Sequence, residues 1–159
     1  MRESNARWLE PDVESCREIV AALTDVELAE LGTAMLRACR SSCAEVPEPV
    51  LTVELIGLTR RSWPEAHRAF DDVRDVTLQF ERAQRSGTDP TYKLLFVAEN
   101  AAKVLYNAAK MPAPFDADSG LRLLVCVAHF VQTRALPELR EMVLSLMNAA
   151  LARTLARTP

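Results

Sequence analysis

The sequence predicts an all-α fold, a single-domain bundle of six or seven helices with short, proline-marked connections. Three observations lead there. Ala and Leu are abundant and Gly is scarce, with four in the 159-residue chain, a composition that favours helix because Gly loses most freedom on ordering. Apolar residues recur at helical rather than strand spacing, with no convincing hairpin signal. Pro11, Pro49, Pro64, Pro90 and Pro137 each stand where an amphipathic pattern begins, the position at which proline's missing N–H has no helical partner to lose.

The elements follow in order. A first helix is predicted from Pro11 to Leu23. A second opens at the capping box Thr24-Asp-Val-Glu27 and carries Leu28, Leu31, Met35, Leu36 and Cys39 to about Ser42. Residues 44–49 read as a linker. Residues 50–59 are ambiguous: Leu51, Val53 and Leu55 alternate as in a strand, while Leu51, Leu55 and Leu58 repeat as in a helix. A lone strand would have no partner, so a short helix is the reading. Ser62-Trp-Pro-Glu65 forms a second capping box before a charged surface helix running to about Ser86, with Gly87 as its stop. Pro90 to Lys110 is the next helix. After the loop Met111-Pro-Ala-Pro-Phe115, Asp116 or Asp118 caps a helix to Ala135, and the last runs from Pro137 to about Arg157. The domain spans 1–159, with residues 1–10 and 158–159 expected to fray. The three C-terminal helices are the most apolar and are expected to form the centre.

The helix from Pro90 to Lys110 is the most informative. It holds all three lysines of the chain, Lys93, Lys103 and Lys110. At about 100° per residue, Glu99, Lys103, Asn107 and Lys110 make one narrow polar stripe, with Asn100 and Lys93 at its edge. A helix this apolar elsewhere belongs inside a bundle, so its stripe lies in a groove, cavity or interface. Glu99, Asn100, Lys103 and Asn107, walled by Tyr92, Phe96, Tyr106 and Phe115, are the candidate ligand-binding set, since pockets combine apolar walls with a few fixed polar groups. Against this stands an ordinary Glu99–Lys103 ion pair on a solvated face.

Other constellations are weaker. Cys39, Cys43, Cys126 and His129 could form a Cys₃His zinc site if their helices touch, although such ligands normally come from knuckles or loops; buried cysteines are the simpler reading. No other cofactor is indicated. Asp116, Asp118 and Ser119 suit a helix cap better than a cation site, and Asp118–Arg122 is an i,i+4 pair. No phosphate loop, dinucleotide fingerprint, nucleophile elbow or metalloprotease motif is present.

The net charge of −3 without a basic run argues against nucleic-acid binding. No apolar run is long enough to cross a bilayer, and the polar start is not expected to act as a leader peptide, so a cytoplasmic location is expected. The expected function is a non-catalytic interaction or regulatory protein that pairs with itself as a homodimer or binds another protein, because the last helix presents a wide apolar arc. The alternative is a small-molecule-binding bundle using the 90–110 helix, and the minor one an enzyme using Lys103 or His129.

Overall fold

The structure, a computed structural model, describes residues 6–10, 12–85, 87 and 89–157. Pro11 as a helix start, Ser86 as a helix end and the expected fraying of 1–5 and 158–159 lie outside the described residues. Within them the fold is all-α, with seven α-helices and no strand. They are α1 (Val13–Ala22), α2 (Asp25–Ser41), α3 (Glu48–Leu58), α4 (Ala66–Arg82), α5 (Pro90–Ala108), α6 (Ser119–Arg134) and α7 (Pro137–Arg157), with 3₁₀ turns at Arg7–Leu9 and Arg60–Glu65.

Local chemistry sets most of the boundaries. Asp12 caps α1 by accepting from the Ser15 N–H. The Thr24–Glu27 box forms in full: the Thr24 hydroxyl oxygen accepts from the Glu27 N–H and the Glu27 carboxylate from the Thr24 N–H. Pro49 and Pro90 lie in the first turns of α3 and α5, and the ambiguous residues 50–58 are helical. The Ser62 box does not form. Pro64 sits inside a 3₁₀ turn there, and Trp63 is buried with its indole N–H donating to the Gly57 carbonyl; burying that ring sets the path of the chain. The stop of α4 is Gln84 rather than Gly87. Gln84 takes a left-handed φ of 57°, and the Arg85 N–H returns to the Phe80 carbonyl. Asp118 makes no side-chain cap on α6, and Arg122 pairs with Asp116 instead of Asp118.

The centre of the bundle is α5, packed by α2, α4 and α6. Twelve of its residues are buried, among them Ala98, Ala101, Ala102 and Ala108, small side chains that let neighbouring helices approach closely. The expectation that α7 joins the centre is not met. It rests mainly on α2 through Leu139, Val143, Met147 and Ala150, one stripe, and leaves Met142 and Leu155 exposed. Its apolar arc is wider than the face it buries. Residues 6–10, expected to fray, are also tied down: Trp8 and Leu9 are 0% and 1% exposed and pack against α6, because two large apolar side chains outweigh the polarity around them.

α3 folds back along α2, held by two devices. Arg40 grips the buried Glu54 through two hydrogen bonds of 2.9 and 3.0 Å. Gly57 lies so near α2 that a Cβ there would meet the Thr33 Oγ1 at 2.2 Å. Gly57→Ala is expected to destabilise the protein by about 1–3 kcal/mol, read from chemical unfolding, and Thr33→Ala in the same chain to restore part of the loss. Additive losses would show that the two side chains do not compete.

Candidate functional site

The polar stripe of α5 faces α4, α6 and the connection 109–118. Glu99, 5% exposed, turns toward α4. Its Oε1 lies 3.0 Å from the Thr77 hydroxyl and 3.5 Å from an Arg74 guanidinium nitrogen. A buried carboxylate needs such partners, and they draw it away from Lys103, so the predicted i,i+4 pair is absent. Lys103 instead places its ammonium 5.2 Å over the Phe70 ring and 5.9 Å over Phe115. Among the described residues no carboxylate pairs with it.

Asn107 is a clamp. Its Oδ1 accepts from the Phe115 N–H at 2.7 Å and its Nδ2 donates to the Asp116 carbonyl at 3.2 Å. Tyr106 donates its hydroxyl to the Pro112 carbonyl at 3.0 Å. These three bonds hold a connection in which Lys110 and Ala113 both have left-handed φ. Phe115 anchors the connection, although on a half-exposed aromatic cluster rather than in the core: its ring centroid lies 5.0 Å from Phe70, 5.5 Å from Tyr106 and 5.6 Å from His67. Tyr92 donates to Glu81 and meets Phe96 edge-on.

The candidate ligand residues therefore share one face, and most of their polar atoms serve the fold. Both tyrosines, both histidines and three of the five phenylalanines gather there. Sequence reasoning missed the α4 contributions His67, Phe70, Arg74 and Thr77; the spacing of His67 and Phe70, one turn apart, was the available signal. It also missed that the Lys93 ammonium nitrogen lies 3.1 Å from His129 Nε2. Asn100 donates to the Phe96 carbonyl and lies 3.5 Å from the Cys126 sulfur, while its buried Oδ1 has no partner among the described residues.

The proposed zinc ligands are not gathered. Cys39 is fully buried on α2, Cys126 faces Asn100 and His129 faces Lys93. Among the described residues no three metal-ligating side chains converge. The thiols are held protonated. Burial, with the Glu99 carboxylate adding to it, pushes Cys126 up to about 11. Burial likewise lifts Cys16 to about 11 and raises Cys39 further.

Two hollows bear on the candidate residues and on the outer helices. Beside Asn107 a void of about 70 Å³ lies between α1, α2, α5 and α6, sized for water rather than an organic ligand. A groove of about 590 Å³ opens elsewhere, between α2, α3 and α7. Thr33, Ala34, Ala38 and Gly57 line its depth, Leu58, Met142 and Leu146 its sides. A second hollow of about 460 Å³ continues it, sharing Ser41 and Met142 and reaching Leu136. Beside the groove α3 presents Leu51, Leu55 and Leu58, the last two 65% and 59% exposed. None of the described helices is long and apolar enough to cross a membrane. No family model, curated protein or solved structure matches this chain.

Asn107→Ala is expected to cost about 1–2 kcal/mol, because it frees two backbone groups of the connection; denaturant unfolding measures it. The Cys126 thiol, titrating near 11 when folded against 9.0 otherwise, contributes stability that is complete below pH 9 and lost as the pH rises toward 11. Thermal midpoints across that window are expected to fall, and to fall less steeply in Cys126→Ala. Parallel curves would mean that this thiol does not contribute.

Proposed function

We propose that the chain is a non-catalytic interaction or regulatory protein that acts as a homodimer in the cytoplasm. The observation that carries this reading is the apolar face of α2, α3 and α7. Exposed Leu51, Leu55 and Leu58 flank a groove whose sides are Leu58, Met142 and Leu146. Large contiguous apolar patches on a folded protein mark surfaces that meet other macromolecules, and closed two-fold pairs are the commonest assemblies of identical chains. Four cysteines outside any disulfide suit a reducing compartment.

Sedimentation velocity across a wide concentration range is the test. A species of twice the chain mass supports the reading, and a monomer at every concentration overturns it.

A second reading, a small-molecule site on the α5 face, is favoured by two groups there that have no hydrogen-bond or ion-pair partner among the described residues, the Lys103 ammonium above its two rings and the buried Asn100 Oδ1. Native mass spectrometry of freshly purified protein is expected to show an organic mass lost on denaturation, and Lys103→Ala to abolish its retention. Bare protein throughout would set this reading aside.

A further inference from the structure

We infer that the groove between α2, α3 and α7 is filled by the α3 ridge of a second copy, the two chains interlocking reciprocally about a two-fold axis. This rests on the dimeric reading above and names the surface and contacts of that dimer.

Shape comes first. Leu51, Leu55 and Leu58 are spaced i, i+4, i+7 and form one exposed stripe on α3. The groove beside them has a floor of small side chains, Ala34, Ala38 and Ser41, with Gly57. A ridge of large side chains packs into a furrow of small ones. Leu58 belongs both to the ridge and to the wall of its own groove. Each chain thus carries an apolar ridge next to an apolar groove, so a two-fold pair makes the same contact twice and leaves neither surface open. A flat floor-to-floor pairing of α2 with its copy would bring wall against wall before the floors could touch.

Charge then selects the orientation. Glu30 and Arg37 both lie in the groove, one on each side of Ala34 along α2. Glu48 begins the ridge, and Arg61 follows its end. None of these four side chains makes an ion pair or hydrogen bond with another described residue. α3 runs antiparallel to α2, with Gly57 against Thr33 and Glu54 held by Arg40 further on. An axis along this shared direction preserves it, so the copy's α3 also lies antiparallel to α2. Its Arg61 end then falls beside Glu30, and its Glu48 end toward Arg37. An axis across the helices would reverse the copy's α3 and set Glu48 beside Glu30 and Arg61 beside Arg37. Only the first arrangement brings unlike charges together at both ends of the contact, which fixes register and disfavours the other.

The test is complementation between two defective chains. Leu55→Glu spoils the ridge at an exposed position; Ala34→Trp fills the groove. Each variant alone retains no complete contact and is expected to raise the dimer Kd about tenfold or more. Mixed together they are expected to form a heterodimer, because the intact ridge of the groove-filled chain meets the intact groove of the ridge-spoiled one. Sedimentation of the mixture, with circular dichroism of each variant as the folding control, reads this out. Glu30→Arg is likewise expected to weaken the dimer and Arg61→Glu in the same chain to restore it; both positions are exposed, so this pair holds the test if Ala34→Trp does not fold. A wild-type dimer indifferent to these variants overturns the inference while the dimeric reading stands. Two monomeric variants that stay monomeric when mixed also overturn it. A monomeric wild type overturns both.

Discussion

Everything in this bundle depends on the burial of α5. A helix apolar around most of its circumference has no stable existence in water, and its formation requires neighbours on several sides at once. α2, α4 and α6 supply them. The alanines of α5 keep those neighbours close, and the few polar groups left on it must find partners locally. Glu99 therefore takes Thr77 and Arg74 from α4, and Asn107 takes two backbone groups from the connection that follows. The polar stripe that marks α5 in the sequence is in large part the means by which a buried helix orders what surrounds it.

The outer layer is arranged differently. α7 lies on α2 through a single stripe, while α3 packs on α2 and also on α4 and α5. What they leave between them is a furrow, because α2 presents small residues there and α3 is drawn in by the Gly57–Thr33 approach and the Arg40–Glu54 pair. That pair is largely withdrawn from water, so added salt screens it less than a surface pair. The helix that bears one wall of the groove is thus tied to α2 before anything docks, and a surface already held in place costs less to order on binding.

Local rules were legible where one residue decides the outcome. Thr24 with Glu27, Pro49 and Pro90 placed helix starts, and the spacing of α5 identified both a central helix and the residues that share its polar face. Rules failed where tertiary burial competed with them. Ser62 and Glu65 have capping-box spacing, yet Trp63 between them is a large apolar ring and its burial prevailed. Glu99 and Lys103 have ion-pair spacing, yet Glu99 is buried and takes partners across the helix interface. The groove was illegible for a related reason: Ala34, Ala38 and Gly57 read as filler along the chain and become a surface only when α3 and α7 are set on either side.

Four non-glycine residues, Gln84, Lys110, Ala113 and Ala135, adopt left-handed backbone conformations. For L-residues that conformation costs roughly 1–2 kcal/mol each; Gln84, Lys110 and Ala135 lie at or just beyond helix ends, and Ala113 lies within the connection between α5 and α6. The direction of these connections is therefore imposed by the packed helices and the bonds between them, not by the intrinsic preference of the turns. Such a chain holds its connections under tension. It has a reserve of stability that glycine at these sites would release, and in its absence the connections are the first parts expected to let go when the packing beside them loosens.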